Sequence, residues 1–134
     1  MDIHRSRIPL NALKPRPFIT LLGQKLSWYS TKVRAYLLFK GIDFFEESPT
    51  LITYYWTIRR RFGDPAMPAL VLPDGEWLQD STLIIERLEA LHPTPSITPE
   101  NPVQRFVAGL LELWADEFWH IGAVHTRWSY PEQN

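Results

Sequence analysis

Cysteine is absent from the 134 residues. That excludes disulfide bonds, catalysis by a protein thiol and cysteine-ligated zinc. Net charge is scarce as well: 14 basic side chains against 15 acidic ones leave a formal charge of -1. Nothing in the overall electrostatics therefore recruits nucleic acid or an anionic membrane surface. No uninterrupted apolar run comes near the roughly 18–20 residues that a membrane-spanning helix needs. The amino-terminal arm carries Arg5, Arg7, Lys14 and Arg16 against Asp2 but has no apolar core, so it does not read as a secretory signal. The expectation is a cytoplasmic protein with no membrane span and no nucleic-acid partner. A Gly-rich phosphate loop, an assignable Ser-His-Asp triad, an internal repeat and a low-complexity tract are missing too.

What is present is globular in character, with 45% hydrophobic and 13% aromatic residues. The length suits one domain of ordinary size and part of a second. Residues 1–17 read as an irregular arm, broken by Pro9, Pro15 and Pro17. Residues 18–22, Phe-Ile-Thr-Leu-Leu, are short, β-branched and aromatic, as in a buried strand. After Gly23 the period changes to that of a helix over about residues 29–40, with Tyr29, Val33, Tyr36, Leu37 and the stem of Lys40 on one face, closed by Gly41. Between strand and helix lies Ser27-Trp28-Tyr29-Ser30-Thr31-Lys32-Val33-Arg34. A hydroxyl there caps the helix and sits where the helix dipole welcomes an anion; an ordinary cap accounts for it equally well.

Residues 43–47 read as a second strand, parallel to the first if the helix is a crossover. Residues 50–61 form a poorly patterned aromatic segment, read as helix, ending in Arg59-Arg60-Arg61. Those arginines suit a phosphate or carboxylate site, but a solvated helix end complementing the dipole is the preferred reading. Residues 69–72 and 76–79 are two short strands joined by Pro73-Asp74-Gly75, a hairpin turn. Asp80-Ser81 then precedes a helix with Ile84, Ile85, Leu88 and Leu91 on one face, stopped by Pro93 and Pro95. The order over residues 18–92 is β-α-β-α-β-β-α, an α/β layer structure.

Residues 93–102 carry four prolines and read as a linker. Residues 103–134 begin a helical domain that is incomplete. Val103, Phe106, Val107, Leu110, Leu111, Trp114 and Phe118 form a wide apolar stripe, and Leu113 and Trp119 widen it. Such a helix needs partners on more than one side, so either a second copy covers it, as in a homodimer, or the sequence is the front of a longer protein. Glu117-x-x-His120, with Glu112 and Asp116 nearby, has the spacing of half a carboxylate-bridged di-metal site. Only one copy exists, so no metal is expected. His125, Arg127 and Trp128 read as a polar-aromatic cluster after the long helix.

Four motifs together resemble the cytosolic glutathione S-transferases, in particular the serine and cysteine classes of theta, zeta and omega type. Ser27-x-x-Ser30-x-Lys32-Val33-Arg34 resembles their active-site turn and first helix, and Lys40-Gly41-Ile42 the end of that helix. Met67-Pro68-Ala69-Leu70 resembles the segment holding the family's cis-proline. Gln79-Asp80-Ser81, followed by Ile84-Ile85-x-x-Leu88-Glu89, resembles the glutathione-gripping turn and third helix. The resemblance implies a thioredoxin-like N-terminal domain followed by the first helix of an all-α domain that is mostly absent.

It also implies roles. Ser27 donates a hydrogen bond to the glutathione sulfur and so activates the thiol, with Tyr29 a competing donor ranked second. A cis Met67–Pro68 bond turns the Met67 backbone toward the cysteinyl backbone of glutathione. Ser81 takes the γ-glutamyl carboxylate and Asp80 the ammonium. The absence of cysteine at 27 and 30 argues against glutaredoxin-like or omega-like thiol–disulfide chemistry. The implied activity is conjugation of glutathione, a co-substrate, to a small apolar electrophile. The alternatives are a non-catalytic thioredoxin-fold protein-interaction module or an inactive truncated transferase.

Overall fold

Ile19-Thr20-Leu21-Leu22 is apolar or β-branched throughout, and in the computed structural model it forms strand β1, Ile19–Leu22, with all four residues buried. The structure describes residues 17–129, so the arm expected over residues 1–17 lies, Pro17 apart, outside the described residues. Helix α1, Trp28–Lys40, follows and ends at Gly41, whose φ of 64° is the left-handed closure expected of a helix-stopping glycine. Strand β2, Phe44–Glu47, runs parallel to β1 in the register Ile19↔Phe44. The crossover reading of α1 is thus correct.

Residues 51–62 are continuously helical, but Thr53–Ile58 are wound as a π-helix before the short α2, Arg59–Phe62. Strands β3, Ala69–Val71, and β4, Trp77–Gln79, are antiparallel neighbours. Their turn closes through Gly75 N–H donating to the Leu72 carbonyl at 2.9 Å, and Asp74 Oδ1 accepts from Glu76 N–H. Helix α3, Ser81–Leu91, completes this part. The sheet order is β2-β1-β3-β4, one parallel pair and two antiparallel pairs. This is the thioredoxin-like arrangement that the motif order implies.

The main core lies on one face of the sheet, where Leu21 and Leu70 meet Val33 and Leu37 of α1 and Ile84 and Leu88 of α3. A second cluster on Leu22, Ala69 and Val71 takes Ile58, with Tyr54 and Phe62 packed against it. Two helix faces differ from expectation. Ser30, not Tyr29, opens the buried stripe of α1, which continues through Val33, Tyr36 and Leu37. Leu91 is exposed, because α3 turns its inner face through Ser81, Ile84, Ile85 and Leu88.

Arg34 on α1 forks onto Glu46 of β2, with Nε to Oε2 at 2.7 Å and Nη2 to Oε1 at 2.5 Å. That hydrogen bond, with the arginine's charge, holds the Glu46 carboxyl below the usual carboxylate range. A depressed folded-state pKa stabilises the fold above the unfolded-state value and is lost as pH falls through the folded one. The urea midpoint should therefore drop on acidification from about pH 4.5 downward, 4.5 being the ordinary carboxylate value. Glu46→Gln should flatten that drop, and an unchanged acid slope in the variant would contradict this assignment.

The chain divides into two compact units, one ending at His92 and the other beginning at Pro93. In the second, residues 102–128 are one continuous helix composed of α4, Pro102–Leu113, a π-helical turn at Trp114–Trp119 and α5, His120–Trp128. Asn101 caps it by accepting from Val103 and Gln104 N–H, and Pro102 occupies the first helical position, where no N–H is needed. His125 and Trp128 belong to this helix and do not follow it, a correction to the sequence reading. No helix among the described residues is long and apolar enough to cross a membrane.

Candidate functional site at one end of the sheet

Register decides which loops meet. Leu22, the last residue of β1, pairs with Ala69, the first of β3, and Ala69 pairs with Gln79, the last of β4. Gly23 N–H donates to the carbonyl of Glu47, the last residue of β2, at 3.1 Å. The turn leading to Ser27, the Met67–Pro68 entry to β3 and the Asp80–Ser81 entry to α3 therefore all leave the same end of the sheet. The six residues singled out in the sequence, Ser27, Tyr29, Met67, Pro68, Asp80 and Ser81, sit on these three segments.

Ser27 is the N-cap of α1, with extended φ and ψ, and its Oγ accepts from Ser30 N–H at 3.3 Å. A serine hydroxyl retains a proton to donate after accepting once. Among the described residues nothing accepts that proton, and Ser27 is half-buried. Tyr29, the second residue of the helix, is half-buried as well.

The turn before Ser27 is held from three directions. Ser30, fully buried, accepts from Gln24 N–H through Oγ at 3.3 Å. The Gln24 carbonyl accepts from Ser27 N–H at 3.1 Å and from Arg34 Nη2 at 3.5 Å. A Cβ on Gly23 would fall 2.9 Å from Ser30 Oγ, so this position requires glycine for the close approach. Ser30 and Arg34 are thus positioning residues. The sequence reading quoted both within the motif but gave them no task.

At β3 the Met67–Pro68 peptide is cis. Gln79 reaches across from β4, its Nε2 donating to the carbonyls of Asp64 at 2.9 Å and Ala66 at 2.7 Å, and so fixes the approach to Met67. Pro68 is fully buried.

Asp80 caps α3 through Oδ1, which accepts from Thr82 N–H at 2.9 Å and Leu83 N–H at 3.2 Å. Its φ is 79°, a left-handed value that a non-glycine residue adopts at a cost of about 1–3 kcal/mol. Ser81, the first helical residue, is buried at 5% exposure. A confined hydroxyl at a helix N-terminus, beside a strained capping carboxylate, suits a bound zwitterion. Lys32 Nζ donates to Thr82 Oγ1 at 3.3 Å, adding a cation to the same turn from α1. This link spans 50 residues and has no local signature in the sequence.

Glu117, His120 and their acidic neighbours do not assemble: among the described residues no three His, Asp or Glu side chains are placed to hold a metal ion.

A family model described as the glutathione S-transferase N-terminal domain matches residues 21–96, more than half of the chain. Among solved structures, a glutathione S-transferase of Methylobacillus flagellatus with glutathione bound is similar at 30% identity and a TM-score of 0.62, covering 73% of this chain and 48% of that one. One of Methylobacterium radiotolerans, in complex with glutathione sulfonate, is also 30% identical, with a TM-score of 0.65 and coverages of 73% and 46%. A Tau class enzyme of mango, Mangifera indica, is 25% identical, with a TM-score of 0.66 and coverages of 77% and 47%. The chain thus spans about half the length of these structures. No curated protein matches it.

Proposed function

The chain belongs to the glutathione S-transferase family, and on that premise we propose that it binds glutathione and activates its thiol for conjugation to a small apolar electrophile. The reading rests on one observation above all: a capping serine with an uncommitted proton shares one end of the sheet with the Met67–Pro68 and Asp80–Ser81 turns. The glutathione bound in the Methylobacillus relative supports the choice of thiol.

In this proposal the tripeptide lies along the turn at Met67, whose backbone pairs with the cysteinyl unit as an added strand would. Ser81 and the N-terminus of α3 take the γ-glutamyl carboxylate, and Asp80 receives the ammonium. The sulfur then faces Ser27. A thiol with a pKa of about 8.5 is mostly protonated at neutral pH. Stabilising the thiolate by about 1.4 kcal/mol lowers that value by roughly one unit. A hydroxyl donor with the positive end of α1 behind it is of the right size for this. Ser27 donates and never forms a covalent bond, so it needs no base beside it. The proton of the thiol leaves to solvent. The thiolate forms a carbon–sulfur bond either by expelling the electrophile's leaving group with its bonding pair or by adding to an activated double bond, whose other carbon takes a proton from solvent. Residence in the cytoplasm and self-association through the exposed apolar stripe of α4 belong to the same proposal.

The Asp80 role separates cleanly from its capping. Asp80→Ala should lower stability by about 1 kcal/mol through loss of the cap. Asp80→Asn keeps an acceptor oxygen and tolerates a positive φ, so its urea midpoint should stay near wild type. Its glutathione dissociation constant, by calorimetry, should nonetheless rise about tenfold, the loss expected when a charged acceptor becomes neutral. Unchanged affinity in Asp80→Asn would remove Asp80 from the binding site.

The functional test is retention of the 134-residue chain on immobilised glutathione, with turnover of a generic aryl halide by wild type and Ser27→Ala. Retention with Ser27-dependent turnover is expected; failure to be retained would favour a non-catalytic module.

A further inference from the structure

Strand β4 grips the chain that enters β3 at two points. Trp77 and Gln79 stand two residues apart on β4, so their side chains leave the same face of the sheet. The Arg61 guanidinium lies 4.7 Å from the centre of the Trp77 ring, which fastens the end of α2. Gln79 Nε2 then donates to the Asp64 carbonyl at 2.9 Å and to the Ala66 carbonyl at 2.7 Å. Both partners are carbonyl oxygens, so only the nitrogen end of the amide can face them, and both its protons are committed to the loop.

The loop itself has little else to set its course. Gly63, with a φ of 82°, turns the chain, and ladder pairing begins only at Ala69. The side chains of Asp64 and Ala66 are exposed, and Pro65 and Pro68 bring no N–H to a hydrogen bond. Such a segment is shaped by what holds its carbonyls. A brace for stability alone needs no particular place along β4. Gln79, however, is the last residue of β4, pairs with Ala69 and runs directly into Asp80 and Ser81. One side chain therefore links two of the three segments of the proposed glutathione site.

We infer that Gln79 is the positioning residue that sets glutathione affinity. It fixes the Met67 backbone edge relative to the N-terminus of α3, and so the span between the cysteinyl and γ-glutamyl units, without touching the tripeptide. This rests on the transferase reading above and adds to it a residue that acts through Met67.

Calorimetric titration of the full chain with glutathione tests the assignment. Gln79→Leu keeps the bulk of the side chain and removes both donors, so the dissociation constant should rise about tenfold, as for the loss of two neutral hydrogen bonds. Gln79→Glu turns an oxygen toward both carbonyls at neutral pH and should bind at least as weakly. In turnover the deficit should fall on KM for glutathione, with kcat changed by less than about threefold, since Ser27 is untouched. Glutathione methylated on its cysteinyl amide nitrogen separates positioning from a general loss of stability, because it cannot donate to the Met67 carbonyl. Methylation should weaken binding about tenfold in wild type but less than about threefold in Gln79→Leu, where that contact is already impaired. An equal methylation penalty in the two proteins would overturn the inference. So would wild-type affinity for glutathione in either variant beside a lowered urea midpoint, which describes a residue that only stabilises the fold. Absence of glutathione binding by the wild-type chain would overturn the transferase reading and this inference together, so the two failures are distinguishable.

Discussion

Ser27→Ala should lower kcat/KM toward an aryl halide by about 10–100-fold, the equivalent of the roughly 1.5–3 kcal/mol that a hydrogen bond to a charged group contributes. The loss should appear as a shift along the pH axis. If the hydroxyl stabilises the thiolate, its removal raises the apparent pKa of the bound thiol by one to two units, an estimate from about 1.36 kcal/mol per unit. Much of the activity then returns at high pH. The complication is that Ser27 Oγ also accepts from Ser30 N–H. Losing that cap costs about 1 kcal/mol of stability.

Two further substitutions separate the tasks. Ser27→Thr retains both acceptor and donor and should keep most of the rate. Ser27→Asp caps the helix well but sets a carboxylate against the thiolate, so it should fold normally and lose activity at least as severely as alanine. Tyr29→Phe should change the rate by no more than about threefold, as expected when no charged hydrogen bond is lost. A large loss in Tyr29→Phe with little in Ser27→Ala would transfer the donor role to Tyr29.

Glu89→Ala should be the most damaging single change to the fold, at about 3–5 kcal/mol, the loss typical when one partner of a buried ion pair is removed. Glu89 Oε2 lies 2.7 Å from Lys40 Nζ and accepts from the Tyr36 hydroxyl at 2.8 Å. Lys40, half-buried as a residue, also donates to the His92 carbonyl at 2.6 Å, and Glu89 keeps 19% of its side chain exposed. Burial, followed by the bond to Glu89, pushes the Tyr36 hydroxyl pKa well above its usual range, so Tyr36 stays a donor at any working pH. The alanine variant leaves an ammonium and a phenol buried against a gap. Against a typical total stability of about 5–15 kcal/mol, that loss brings many domains near unfolding.

Replacing both charges, as in Lys40→Met/Glu89→Leu, should recover most of the loss, because a matched apolar pair carries no desolvation penalty. Urea midpoints decide the matter. A Glu89→Ala loss below about 1 kcal/mol would place the pair among solvated surface bridges.

The layout of the first unit was legible because its signals are local. The apolar and β-branched run of β1, Pro73-Asp74-Gly75 between two short runs and Gly41 after a helical period each act within a few positions. The sheet end that gathers Ser27, Met67 and Ser81 follows from strand order, and the motif order anticipated it. What stayed hidden depends on contacts distant in sequence or on backbone winding. Nothing near Lys40 announces Glu89, and nothing near Lys32 announces Thr82. The π-helical turn at Thr53–Ile58 reorganises an aromatic segment whose residue types fit either winding. Ser30 was read as part of a motif, yet its burial and the close approach to Gly23 make it the prop of the turn.

The account turns on the ionisation of one bound sulfur. Ultraviolet titration of glutathione on the wild-type chain follows thiolate absorbance directly and needs no electrophile. Half-ionisation at least one unit below the free thiol's value of about 8.5 is predicted, with that displacement largely gone in Ser27→Ala. A bound thiol that ionises where free glutathione does, in wild type and variant alike, would contradict the proposal.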